Sequence, residues 1–218
     1  MGLEQLQNLE HVTPANAVKR KTIIASPHMP QKRLFLVKSG KVRLYRILKS
    51  GKELTVDIIG DGHIFGEVGS FTTGSESLYA ETIDDSIICT LDKDKFETIV
   101  KSHPEIGLRL IEIVSSRLKE VEEMLELIAY GSVRKRLLYM LYKLSQKFGQ
   151  KEDSDQEWVQ LEVKLTHQEL ASMAGSIRET VTEQLSNFVS EGLISKIGLR
   201  SPLSVYPERI LRAMEKCN

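Results

Sequence analysis

The stretch Leu165-Thr166-His167-Gln168-Glu169-Leu170-Ala171-Ser172-Met173-Ala174-Gly175-Ser176-Ile177-Arg178-Glu179-Thr180-Val181 is where residue types and spacing first add up to chemistry. Thr166 and Glu169 have the T-x-x-E spacing of a capping box, which predicts a helix start. Ala174-Gly175 breaks that helix. Ser176 and Glu179 repeat the spacing, predicting a second box and a second helix running to about Glu191-Gly192. Two short helices joined by a tight glycine turn describe a helix-turn-helix, with Ala171, Met173, Val181, Leu185 and Phe188 as the apolar contact. Such a unit lays its second helix in the DNA major groove, with the first residues of that helix at base edges. Arg178 would then offer its guanidinium fork to guanine and Glu179 would accept from a cytosine amine, with Thr182 and Glu183 as further base readers. Thr166, His167, Gln168, Ser176 and Thr180 sit where phosphates would pass, and Lys196 and Arg200 would reach phosphates from a turn further on. The bland alternative is that the Thr166, Glu169, Ser176 and Glu179 set only caps helices and that Lys196 and Arg200 are solvated turn residues.

The flanking elements have to hold this motif in place. Downstream, Leu193-Ile194-Ser195 and Leu203-Ser204-Val205-Tyr206 flank a Lys196-to-Pro202 turn, which reads as a β-hairpin wing. Upstream, Trp158 to Val163 alternates and could pair with it. Gly149 to Glu157 is polar and predicts a loop, preceded by a helix over Val133–Phe148. Before that helix, Tyr130-Gly131-Ser132 combines a glycine with a possible N-cap serine and predicts a hinge.

Ahead of the hinge, Ile111, Val114, Leu118, Val121, Leu125 and Ile128 follow the spacing 3-4-3-4-3, a heptad seam. The other faces carry Arg117, Lys119, Glu120, Glu122, Glu123 and Glu126. A helix packed on its own sheet would account for the seam; nearly three heptads without a slip favour a helix paired with its copy in a second subunit. The first half reads as β. Strands are predicted within Val18–Ile24, Leu34–Val37, Val42–Ile47 and Glu53–Ile59, with two more between Leu78 and Leu91. Glycines at 40, 51, 60, 62, 66, 69 and 74 fall about one per junction, as in a sandwich or barrel.

Composition narrows the class. The 218 residues hold 30 basic and 30 acidic side chains, which excludes a uniformly basic nucleic-acid coat. Residues 1–130 carry 17 basic and 19 acidic groups and residues 131–218 carry 13 and 11, an asymmetry with the sign expected for DNA binding. Cys89 and Cys217, far apart, form no CxxC, which fits a reducing cytoplasm and no iron–sulfur cluster or structural zinc. No apolar run approaches the ~18 residues of a membrane span, and residues 1–8 do not read as a secretory signal. His11, His28, His63, His103 and His167 form no HExxH or HxxxH pair. Gly60-Asp61-Gly62-His63-Ile64-Phe65-Gly66 is GxGxxxG followed by strand-like sequence, so the dinucleotide motif fails. No enzyme is expected.

Arg178-Glu179-Thr180-Val181, Gly66-Glu67-Val68-Gly69 and the long helix leading to the hinge, taken in this order, resemble the Crp/Fnr superfamily of bacterial transcription regulators over nearly the whole chain. The resemblance implies an α+β chain in three parts. Residues 1–103 would be an antiparallel β-roll (a jelly roll like the cyclic-nucleotide-binding domain), residues 104–130 a dimerisation helix, and residues 131–218 a winged helix-turn-helix. It also implies a homodimer on a two-fold symmetric operator and contact with RNA polymerase. Gly66, Glu67, Ser77, Leu78, Val121 and Glu122 become the effector-pocket candidates. Departures bear on the ligand. Where cyclic-AMP binders have an arginine and a serine for the cyclic phosphate, this chain has Ser77 and Leu78, and no arginine lies between Arg46 and Arg109. Val121 and Glu122 stand at the adenine-facing hydroxyl positions. Cyclic AMP is therefore disfavoured, because a phosphate buried without a cation is costly. The missing N-terminal cysteines disfavour an Fnr-type cluster. His28, Met29, His63 and Cys89 are of haem-ligand type, which keeps haem as a minor alternative. The family commonly places a further arginine where Glu183 stands, so an altered operator is expected. The competing reading is a small-molecule sensor, haem-based or redox, that acts mainly through protein contacts.

Overall fold

The computed structural model describes residues 14–28, 32–69, 71–75, 77–152, 155–195 and 203–216, which fall in two compact units, Met1–Leu118 and Lys119–Asn218. In the first unit, β1 (Ala15–Val18), β9 (Ser86–Leu91), β3 (Leu34–Ser39), β6 (Ile64–Val68) and β7 (Phe71–Thr72) form one antiparallel sheet in that order. A second sheet runs β2 (Ile23–Ala25), β8 (Tyr79–Thr82), β4 (Val42–Ile47), β5 (Glu53–Ile59). Alternation along β3 divides its side chains between two cores. Phe35 and Val37 meet Val42, Leu44, Ile59 and Ala80 between the sheets. Leu34 and Leu36 face outward and are covered, with Cys89 and Leu91, by Ile99 and Phe96 of helix α1 (Lys93–Ser102). β4 and β5 occupy the predicted ranges Val42–Ile47 and Glu53–Ile59.

The expectation of one strand over Val18–Ile24 is corrected. The chain changes sheets there: β1 pairs with β9, while β2 pairs with β8. Lys21, with φ 61°, makes the turn, and Thr82 and Asp85 hold it by accepting from the Thr22 and Arg20 amides. α1 was not anticipated; Asp92 caps it, accepting from the Lys95 amide.

Helix α2 (Pro104–Tyr130) opens on a proline, whose missing N–H costs nothing at a first helical turn. Ile111, Leu118, Val121, Leu125 and Ile128 of the seam are all exposed, as is Leu108 one turn earlier, while Val114 is half-buried.

In the second unit, α3 (Val133–Phe148) matches the predicted span and is capped by Ser132, which accepts from the Lys135 amide. Its inner face, Leu137, Leu138, Met140, Leu141, Leu144 and Phe148, is buried. The predicted loop over 149–157 is instead β10 (Gly149–Glu152) and the start of β11 (Asp155–Leu161), paired from Gly149↔Leu161 to Lys151↔Val159. Backbone pairing needs no apolar side chains, so a polar composition concealed this ribbon. β12 (Ser204–Val205) adds to β11, and Ile194 bridges Val205. The flanks of the predicted wing are thus joined; its turn, with Lys196 and Arg200, lies outside the described residues. α4 (His167–Ala174), α5 (Arg178–Ser190) and α6 (Pro207–Glu215) complete the unit. α6 was also not anticipated, although Pro207 followed by Ile210, which is buried, marks an amphipathic helix start. No helix among the described residues is long and apolar enough to cross a membrane.

Candidate nucleic-acid interface

The local sequence builds the helix-turn-helix in steps. Thr166 accepts from the Glu169 amide and Glu169 reaches back to the Thr166 amide at 2.7 Å, so the first capping box is present. α4 stops because Gly175 takes the left-handed conformation, φ 59° and ψ 44°, which a residue with a Cβ adopts only with strain. The second box is a correction. α5 begins one residue later than its predicted cap, with Ile177 at the N-cap and no side-chain cap bond, so Ser176 falls outside the helix and Glu179 is off the box register. The extra residue is used by the turn, where the Ser176 amide donates to Ala171 O at 3.0 Å.

Val181, Leu185 and Phe188 bury one face of α5, while Leu170, Ala171 and Ala174 bury the facing side of α4. The opposite face of α5 exposes Arg178, Glu179, Thr182 and Glu183. Thr166 and Gln168 are exposed, and His167, Ser176 and Thr180 are half-buried nearby in sequence. The Thr182 hydroxyl donates to Arg178 O at 2.8 Å and lies 2.8 Å from His167 Nδ1. The His167–Thr182 contact links the start of α4 to α5.

The hinge is tied to this unit. Arg136 donates from Nη1 to Gly131 O at 2.9 Å and from Nε to Ala174 O at 2.8 Å, joining the hinge backbone to the end of α4. Sequence reasoning did not find Arg136. Tyr130 is 91% exposed. Tyr139 donates to Glu123 Oε2 at 2.6 Å, Lys143 lies 3.0 Å from Glu123, and Lys147 lies 3.4 Å from Glu120. The Tyr139 bond and Lys143 hold the Glu123 carboxyl below its usual range, while burial and Glu123 push the Tyr139 phenol up.

In the first unit the effector candidates separate. Gly66 has φ 98°, and a Cβ there would meet Arg33 O at 2.4 Å, so only glycine fits. Its amide donates to Ser75 Oγ at 2.7 Å, and Thr73 Oγ1 donates to Gly66 O at 3.1 Å. Glu67 is half-buried on β6, opposite Thr72. Leu78 is 4% exposed within the inter-sheet core, while Ser77 is on the surface. The expectation that the loop lacks a cation is corrected: β4 delivers Arg46, whose Nη2 donates to Ser77 Oγ at 2.7 Å. Arg117 on α2 lies 3.8 Å from Asp57, with both side chains about one-fifth exposed. Val121 and Glu122 are exposed on the part of α2 that belongs to the second unit. Of the haem-ligand types, His63 Nδ1 lies 3.1 Å from Gly60 O and Asp61 O. His28 meets the Tyr79 ring edge-on, Cys89 is buried in the outer core, and Met29 lies outside the described residues. No group of three or more potential metal ligands occurs among the described residues.

A β-roll unit followed by a helix-turn-helix is the architecture of a DNA-binding regulator. Residues 16–103 match the cyclic nucleotide-binding domain family, and residues 135–214 match the Crp-like helix-turn-helix domain. The CRP-like cAMP-activated global transcriptional regulator of Mycobacterium tuberculosis is 29% identical over 203 residues, 93% of this chain and 88% of that protein. The cyclic AMP receptor protein of Thermus thermophilus is 32% identical over 162 residues, 74% of this chain and 70% of that protein. Among solved structures, a CooA mutant from Carboxydothermus hydrogenoformans shares the fold with a TM-score of 0.79 at 23% identity, over 97% of this chain and 94% of that one. This chain belongs to the Crp/Fnr superfamily of transcription regulators.

Proposed function

We propose that the protein is a homodimeric, sequence-specific regulator that reads a two-fold symmetric operator, and that it is not an enzyme. The observation that carries this reading is the exposed face of α5, where Arg178, Glu179 and Glu183 stand clear on a helix anchored by Val181, Leu185 and Phe188. Arg178 pairs with guanine, Glu179 and Glu183 accept from cytosine amines, and Thr182 contributes its methyl group. Thr166, His167, Gln168, Ser176 and Thr180 border the phosphates, as do Lys196 and Arg200 of the wing. The exposed Ile111-to-Ile128 face packs on its copy, with residues 1–103 as the sensor domain, 104–130 as the dimer helix and 131–218 as the DNA-binding domain. RNA polymerase is the further partner and the cytoplasm the compartment.

Two relatives are named for cyclic AMP. For this chain we favour a different effector, or none. Leu78 is sealed into the core where the resemblance places a phosphate-side serine, and Ser75 already takes the Gly66 amide. Arg46, which donates to Ser77, would suit an anionic effector of this domain. Selection of sites from random duplex DNA, with no effector added, tests the reading. A palindrome with half-sites about one helical turn apart supports it, and failure to enrich any site counts against effector-independent binding. Glu183→Arg should shift the preferred half-site; an unchanged preference would remove Glu183 from the interface.

A further inference from the structure

α6 has two faces of opposite character. Ile210 is buried, while Arg209, Arg212 and Lys216 recur at i, i+3 and i+7, a row about 10 Å long. Together with Arg134 from the start of α3, and Glu191 and Leu193 from the end of α5, they line an open cleft of about 440 Å³. Four cations thus face a single carboxylate. That carboxylate displays the chemistry of the cleft: Glu191 takes both guanidinium nitrogens of Arg134, at 2.9 and 2.5 Å. Arg209 is held by Gly192 O at 3.3 Å and stacks 4.3 Å from the Tyr206 ring. Arg212 is only loosely paired, 3.9 Å from Glu208 with both side chains about three-quarters exposed. Lys216 has no ion-pair partner among the described residues.

We propose that this cleft docks an acidic segment of a protein partner. A row of cations about 10 Å long exceeds what one small anion spans and suits an extended run of carboxylates. Nucleic acid is the poorer fit. Arg178 and Ser190 lie about 18 Å apart along the axis of α5, so a duplex read at the Arg178 end leaves the cleft at the far end open. The proposal rests on the reading above only in that the start of α5 is the end that faces DNA.

The test uses the full-length protein and a fluorescein-labelled decapeptide of glutamate and aspartate interrupted by leucine, followed by anisotropy. The control peptide carries glutamine and asparagine instead. The acidic peptide should bind saturably and weaken about tenfold from low to physiological salt, and the amide peptide should not bind. The double variant Arg212→Glu with Lys216→Glu should lose at least tenfold in peptide affinity while keeping wild-type circular dichroism and duplex affinity. Equal binding of both peptides, or of the acidic peptide by both proteins, would overturn the proposal. So would a folded variant that loses duplex binding, which would make the cleft a DNA contact. A wild-type protein that binds no duplex but takes the acidic peptide would sink the operator reading and leave the cleft standing.

Discussion

α2 and α3 are consecutive amphipathic helices with opposite fates. In α3 the apolar face is satisfied at home: Leu137, Leu138 and Leu141 are fully buried within one unit. In α2, nearly twice as long, Leu127 is the one buried residue, and Leu108, Ile111, Leu118, Leu125 and Ile128 stay at 59–67% exposure. Both have the 3.6-residue period, so periodicity alone does not say what covers a face. An uncovered stripe of heptad spacing fits a second copy, because a large exposed apolar surface is costly in a lone chain.

The largest effect should come from placing a charge in the open stripe. Leu125→Asp would bury an unpaired carboxylate in the proposed dimer seam at a cost of roughly 3–5 kcal/mol. Sedimentation at micromolar concentration should show monomer; a dimer would mean that α2 is not the interface. Leu141→Ala tests the closed helix. Truncating a fully buried leucine costs ~2–5 kcal/mol, so the second unit should unfold at lower urea while the dimer persists when folded. If the two variants behaved alike, the contrast between the helices would collapse.

Smaller effects probe what each helix positions. Arg178→Ala should cost about 1–3 kcal/mol of operator affinity and relax the preference at one base pair, read by competition with mismatched duplexes. The polar strap between α2 and α3 gives a pH signature. Glu123 has its folded-state pKa lowered, so its contribution is complete above the ordinary carboxylate pKa and is lost as pH falls through the lower folded value. Tyr139→Phe should therefore destabilise by about 1 kcal/mol at neutral pH and by less in acid. An equal cost at both pH values, measured by urea midpoints, would show that the Tyr139–Glu123 bond contributes nothing ionic.

How much was legible in advance follows the range of each signal. The spans of α3, β4 and β5 and the Thr166 cap were readable because strand and helix periods, turn residues and capping act over a few residues. The exposed face of α5 was readable for the same reason. The second cap was misread because the left-handed Gly175 shifts the following register by one residue, which spacing does not reveal. The β10–β11 ribbon was missed because its stabilising contacts are backbone bonds between polar residues.

The sequence by itself determined the order of parts, the amphipathic faces and the residue types at the exposed start of α5, since each depends on neighbours within a turn or two. Only the tertiary structure brought Arg46 to Ser77, 31 positions away, and gave a loop that lacks an arginine in sequence a guanidinium in space. It also placed His167 against Thr182 and tied the hinge backbone to the end of α4 through Arg136, contacts that spacing along the chain does not reveal. Contacts between elements are set by how sheets and helices pack, and that packing depends on the whole set of buried faces at once.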